Sequence, residues 1–242
     1  MRTPAILSAA LIGLLAISVQ SHAADAVCGD VNANGTLTTA DALAVLKRAV
    51  GQPVTLQCPA PATPLESGQS ECFNETGEVI NCAGTGQDAA LKKGVPSVYT
   101  DNGDGTITDN TTALTWEKLS EDGSIHDEGN TYTWDEALQR VDTLNSQSFA
   151  GHNDWRLPNV VEARTLLNFD TFSPAVAPQF DDNCVNACTI LTCNCIQPDW
   201  YWTSTTYQET NDDAWFVDMF NGYTDTTTKV EPIFARVVRG GL

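Results

Sequence analysis

Basic residues are scarce in this chain. Only 12 Lys and Arg stand against 31 Asp and Glu, a formal net charge of −19 at pH 7. A surface of that sign has no stripe on which phosphates dock, which excludes nucleic acid as a partner. It also repels anionic lipid and sulfated glycans unless a bound cation or a local basic cluster intervenes. Histidine is nearly as rare. Beyond the N-terminal apolar run only His126 and His152 remain, and neither lies in a recognised nucleophile or metal motif. There is no Gly-rich phosphate loop and no dinucleotide fingerprint. Carboxylates are so numerous that choosing a catalytic pair among them would be arbitrary, so the chain is read as non-catalytic. After the first 20 or so residues, no stretch approaches the ~20 apolar residues that a membrane-spanning helix needs.

The N-terminus itself is apolar. Arg2 is followed by a run from Ala5 to Val19 broken only by Ser8 and Gly13, and Ser21-His22-Ala23 supplies a small-x-small cleavage site. This is the pattern of a secretory signal peptide over residues 1–23, with no transmembrane segment, and it predicts a secreted, periplasmic or cell-surface protein. Eight cysteines, an even number in an exported chain, then argue for disulfides. Proximity pairs Cys28 with Cys58 and Cys72 with Cys82. Cys184, Cys188, Cys193 and Cys195 crowd one loop and allow three pairings. A zinc site at those four is the competing reading, but their spacing matches no common zinc arrangement.

Residues 28–58 form a small first module. From Asp30 to Asp41 the sequence reads Asp-Val-Asn-Ala-Asn-Gly-Thr-Leu-Thr-Thr-Ala-Asp. Asp30, Asn32, Asn34 and Asp41 carry side-chain oxygens at loop positions 1, 3, 5 and 12. Gly35 sits where the chain must turn sharply, and Thr36 offers its carbonyl. That spacing wraps hard oxygen ligands around one calcium ion. The following helix places Leu43, Leu46 and Val50 on one face and ends at Gly51. The segment resembles a single dockerin repeat. That resemblance implies either a calcium-stapled cap or attachment to a protein of a larger surface assembly. Residues 59–98 follow as a Pro- and Thr-rich linker with a disulfide-closed hairpin between Cys72 and Cys82, then loop from Ala83 to Gly94.

The main domain spans residues 99–242. Strands are predicted at 98–100, 106–108 and 114–118, the first two joined by a tight turn over Asp101–Gly105. That turn is read as a hairpin rather than a second calcium loop, because Gly103 and Gly105 stand where ligands are needed. Thr133 and Glu136 make a capping box for a helix whose Trp134, Ala137, Leu138, Val141 and Leu144 recur at core spacing. Asn159 and Glu162 cap a second helix, with Ala163, Leu166 and Leu167 on its buried face. Just before it, Trp155 reads as core and Arg156 as a buried cation paired with a carboxylate. A long loop from Asp170 to Asp199 follows. Strands are then predicted at 200–204, 214–219, 223–226 and 233–238, with a tight hairpin at Asn221-Gly222.

Trp155-Arg156-Leu157-Pro158-Asn159, preceded by Asp101-Asn102-Gly103-Asp104-Gly105-Thr106 and Leu114-Thr115-Trp116 and followed by Trp202-Thr203-Ser204, resembles the Lcl C-terminal domain family. The resemblance implies an α+β fold, a C-type lectin-like main domain similar also to formylglycine-generating enzymes. With the small N-terminal dockerin-like calcium loop-helix module, it implies an exported, calcium-stabilised binding or adhesion protein. Its partner would be an extracellular or cell-surface ligand, glycan or protein. A docking or structural component of a surface assembly is the alternative, and an enzyme on the formylglycine-generating-like fold a third reading. Lectin-like domains bind through the long loop and the terminal strands. Aromatic faces there stack on sugars while carboxylates and amides take hydroxyls. The candidates are Asp199, Trp200, Tyr207, Asp212, Asp213 and Tyr223, with Asp181, Asp182, Asn183 and Asn211 beside them. Gln197-Pro198-Asp199 is similar to the galactose-type tripeptide of C-type lectins. It follows Asn153-Asp154 in reversed order, and chance accounts for it.

Overall fold

Local capping explains where the helices begin. The computed structural model describes residues 64–241; the signal peptide, the Asp30–Asp41 loop, Cys28 and Cys58 lie outside the described residues. The Thr133 amide donates to Glu136 Oε2 at 2.8 Å and the Glu136 amide returns a bond to Thr133 Oγ1, opening helix α2 (Trp134–Ser146). Asn159 Oδ1 takes both the Val161 and Glu162 amides at 2.9 Å, and its own amide bonds to Glu162 at 2.8 Å, opening α3 (Val160–Arg164). An N-cap of this kind is worth about 1 kcal/mol. Helix α3 is shorter than its apolar spacing predicts. Leu166 and Leu167 are buried, but beyond the helix, because the Ala177 amide bonds to the Leu166 carbonyl and Leu167 bridges Val176. A short helix α1 (Asp88–Leu91) replaces part of the expected 83–94 loop.

Three sheets hold the described residues. A ribbon of β1 (Cys72–Phe73) and β2 (Val79–Ile80) is closed by the Cys72–Cys82 disulfide, as its spacing predicts. Strands β3 (Tyr99–Asp101), β4 (Thr106–Asp109) and β5 (Leu114–Glu117) form an antiparallel meander, joined on its β5 edge by β11 (Val238–Gly240). The larger sheet runs β6-β10-β7-β8-β9, from β6 (Thr131–Tyr132) and β10 (Ile233–Phe234) to β7 (Trp200–Thr206), β8 (Asp213–Asp218) and β9 (Thr224–Thr228). Only the β10–β7 pairing is parallel. The chain is thus α+β.

Alternation along β7 and β8 makes the larger sheet a two-sided core element. Tyr201 and Val217 point into a cluster with Trp116, Leu166, Phe180 and Val238. Trp202 and Phe216 point into another with Ala137, Leu144, Trp155 and Leu157. A strand buried on both faces reads as continuous apolar sequence, and the adjacent Tyr201 and Trp202 are such a pair, with Trp200 before them left exposed. Trp155 is core, as its sequence context predicts. Trp134 lies at the core's edge, half-buried, its indole N–H on the Thr203 carbonyl at 2.9 Å and the Lys229 ammonium 4.4 Å from its ring centre.

Two expectations are corrected. The predicted strand 233–238 is two strands in two sheets. Phe234 pairs with Thr131 and Tyr201, whereas Val238 pairs with Trp116. Between them Ala235, Arg236 and Val237 are all buried, so no in-out alternation survives the crossing. Arg156 is paired as expected, with both Glu162 oxygens at 2.7 Å, but its side chain is 41% exposed rather than buried. The C-terminal end of the expected linker is also tied down. The Glu66 amide donates to the Val95 carbonyl, the Val95 amide to the Pro64 carbonyl, and the Phe169 amide to the Ser67 carbonyl at 2.8 Å.

The charged residue at the centre is Glu117, at the end of β5 and fully buried. Arg140 from α2 donates to its Oε1, His126 lies 2.6 Å from the same oxygen, and the Val237 amide reaches Oε2 at 3.2 Å. Burial alone pushes a carboxyl pKa up, but here the charges of Arg140 and His126 outweigh it and hold Glu117 at about 2, against an ordinary 4.5. A depressed folded-state pKa means that the stability it confers is present above the unfolded value and drains away as the pH falls through the folded one. Melting temperature followed by circular dichroism should therefore drop between about pH 5 and pH 2. Glu117→Gln should flatten that fall and, at neutral pH, cost about 3–5 kcal/mol by stranding the buried Arg140.

Candidate ligand-binding site

The long connection after Phe169 is bound to the domain at successive points. Ala175 donates to the Met219 carbonyl, and a single turn at Pro178–Phe180 drives Phe180 into the core. There its ring meets the edges of Tyr99 and Trp116 and lies 5.2 Å from the Arg236 guanidinium. Asp182 and Asn194 then exchange backbone bonds at 3.0 and 2.9 Å, so the chain doubles back as a loose hairpin. The hairpin decides the disulfides: Cys184 reaches Cys195 across its base, and Cys188 reaches Cys193 inside. Of the three pairings open to the sequence, this nested one is formed because antiparallel doubling brings the outer cysteines together and the inner ones together. With every sulfur of the loop bridged, the zinc reading fails.

Between this stapled hairpin and the β3–β4 turn lies a groove of about 380 Å³. Its near wall carries Tyr99, Asp101, Ile107 and Lys118; its far wall carries Gln179, Asp182, Asn183, Leu191 and Thr192. Gly105 lets the two walls approach. At φ +92° it adopts a backbone that favours glycine, and a Cβ there would fall 2.4 Å from Ile190 Cδ1. Lys118, its side chain only 5% exposed, meets Asp101 at 2.7 Å. Burial works to raise the Asp101 pKa, but hydrogen bonds from Lys118 and the Gly103 amide bring it below the ordinary value. Burial, foremost, pushes the Tyr99 hydroxyl up to about 12, so it stays protonated.

Some of the groove's polar groups are already committed. Asn194 donates to the Gln179 carbonyl at 2.7 Å and accepts from Leu119 and Arg236, so it is a strut. The Thr192 hydroxyl is turned to the Thr189 carbonyl. The exposed pair Asp182 and Asn183, linked at 2.9 Å, keeps acceptor and donor capacity facing outward. The groove thus combines one internally neutralised ion pair, a carboxylate, amides and an apolar flank. Such a lining can orient a polar ligand.

The six principal candidates of the sequence lie elsewhere, in two groups. Asp199, Trp200 and Tyr223 stand at one end of β7–β8–β9. Trp200, 39% exposed, stacks on Phe216 at 4.4 Å and 19°, and the Tyr223 hydroxyl donates to Asp225 at 2.8 Å. Tyr207, Asp212 and Asp213 belong to the β7–β8 hairpin at the other end. Tyr207 sets its edge on Trp215 and donates to Glu209, while the Asp213 carboxylate accepts from Thr210. Six strand residues separate the ends, about 20 Å at ~3.3 Å per residue, so the two groups are not one site. Asp181 and Asn211 are exposed, outside the groove lining. Sequence reasoning missed Tyr99, Asp101, Lys118 and Gln179 as groove residues. The one available signal was Lys118, a cation at the end of a predicted strand. The calcium ligands Asp30, Asn32, Asn34, Thr36 and Asp41 lie outside the described residues.

A disulfide-stapled α+β domain with a long, ordered loop beside its smaller sheet is the class that these features define. Residues 105–239, more than half of the chain, match the model of the Lcl C-terminal domain, and the chain belongs to that family. No curated protein matches it. Among the described residues, no helix is long and apolar enough to cross a membrane. Replacing Cys184 and Cys195 together by serine should destabilise the domain by about 2–4 kcal/mol in urea unfolding and should expose the hairpin to proteolysis first.

Proposed function

We propose that the chain is a non-catalytic, extracellular binding or adhesion module of lectin-like type, which takes a polar ligand, glycan in preference to protein, in the groove between the β3–β4 turn and the cysteine-stapled hairpin. The observation that carries this reading is the groove itself. Its far wall is fixed by two nested disulfides and a buried arginine, and its exposed groups, Asp182 and Asn183, have hydrogen-bonding capacity to spare. A wall held rigid before the ligand arrives spends little of the binding energy on ordering. Amides and a carboxylate suit hydroxyls, and the apolar flank of Tyr99 and Leu191 suits the C–H face of a sugar ring. The acidic surface turns away sulfated chains, so a neutral glycan is the favoured class. Trp200, half exposed over Phe216, provides a second stacking face at a distance.

Calcium, held by the Asp30–Asp41 loop, would stabilise the exported chain, and the same loop is the element through which it would attach to a surface assembly if docking is its main task. A glycan array probed with the secreted chain, with and without chelator, tests the reading. Binding to neutral glycans should weaken at least about tenfold, ~1.4 kcal/mol, in Asp182→Ala/Asn183→Ala with no change in melting temperature. Undiminished binding by the double variant would remove the groove from the account. Absence of any glycan signal, with capture of a defined protein through the N-terminal loop, would favour the docking role.

A further inference from the structure

Glu128 is an anomaly of this fold. It is 9% exposed, and among the described residues no N–H or O–H group donates to its carboxylate. The one atom in hydrogen-bond range is Cys184 Sγ, 3.6 Å from Oε1, which is bonded to Cys195 and has no proton to give. Arg236 attracts Glu128 without touching it: its two terminal nitrogens bond to the Glu117 and Cys195 carbonyls and to Asn194, and its buried Nε has no hydrogen-bond partner among the described residues. Facing Glu128 is Glu121, one of whose carboxylate oxygens lies within 4.8 Å of a Glu128 oxygen. No donor among the described residues reaches Glu121 either. Asp127 and Asp181 add further negative charge nearby. A buried, donor-free carboxylate aimed at a second one must be neutralised by something other than protein.

We propose that Glu121 and Glu128 clasp a divalent cation of the calcium class at the root of the four-cysteine hairpin. Two oxygens that each sit ~2.3–2.6 Å from a calcium ion stand at most about 5 Å apart, the separation that these two glutamates offer. A shared proton would cancel one charge. A divalent ion cancels both and also relieves the repulsion from Asp127 and Asp181. Backbone bonds place the clasp where it matters for the groove: the Glu121 amide donates to the Cys188 carbonyl at 3.0 Å, and the Ala187 amide donates to the Glu121 carbonyl at 2.7 Å. The same hairpin carries Asp182, Asn183 and Leu191 of the groove wall. The ion therefore pins that wall to the turn bearing Glu128, whose own amide is held by the Ser120 carbonyl at 2.8 Å. The inference is independent of what the groove binds.

The test uses the full secreted chain carrying Asp41→Ala, so that the N-terminal loop is weakened as a competing site. Calcium alone is titrated into it by calorimetry, with no glycan present. The expected result is one equivalent bound, and a loss of affinity of at least tenfold on adding either Glu128→Gln or Glu121→Gln. Glu121 is half-buried, so its variant decides the matter should Glu128→Gln fail to fold. Calcium should also raise the melting temperature of the Asp41→Ala chain and not that of its Glu121→Gln derivative. An isotherm unchanged by Glu121→Gln overturns the clasp. So does a melting temperature that ignores millimolar calcium and responds only to pH, which would show a proton in its place.

Discussion

The main domain is organised around one carboxylate that water does not reach. Glu117 is placed by β5, answered by Arg140 from α2 and His126 from the turn before β6, and capped by the Val237 amide. Its own carbonyl takes Arg236, which in turn holds Asn194 and the Cys195 carbonyl. One buried charge thereby joins the small sheet, the long helix, the crossing strand and the cysteine hairpin. Taking such groups out of water is costly, and the arrangement persists because each charge is answered by a partner or a backbone dipole. Removing any member would leave another stranded, so the elements are obliged to assemble together.

That obligation reaches the groove. Arg236 and Asn194 are struts beneath the far wall, and Lys118, immediately after Glu117, supplies the near wall's only cation. The disulfides add a second restraint to the same hairpin, cross-linking it at base and tip. Membership of the Lcl C-terminal domain family accounts for the domain from Gly105 onward. The cysteine hairpin, the stacked Trp200 and the outward pair Asp182–Asn183 are features of this chain's own surface on which a particular ligand choice would rest.

Elements defined by neighbours close in sequence were readable. Both capping boxes, the Cys72–Cys82 ribbon, the β3–β4 turn and the burial of Trp155 follow from residues within ten or so positions of one another. Where distant segments intervened, local rules failed. Helix α3 stops at Arg164 because Leu166 and Leu167 are taken up by Val176 and Ala177. The run from Ile233 to Val238 has strand composition throughout, yet it changes sheets and buries Arg236 where an alternating strand would turn it outward. Arg156 finds its carboxylate only six residues on, at the surface, so the pair was legible and its depth was not.

The sequence by itself determined the fold class, the capped helix starts, the turns, the need for bridges among the clustered cysteines and the family. The fold class and the family rest on the resemblance carried by Trp155–Asn159 and its companion motifs; the others rest on interactions within one turn or one hairpin, or on composition, which any chain displays before it folds. Tertiary structure alone decided which cysteines pair, that Glu117 is the acid buried against Arg140, that Asp101 and Lys118 face Asp182, and that the aromatic candidates divide between two ends of a sheet. Those outcomes depend on contacts between residues tens of positions apart. Their energies are settled by how much water each contact removes, and no local pattern encodes that quantity.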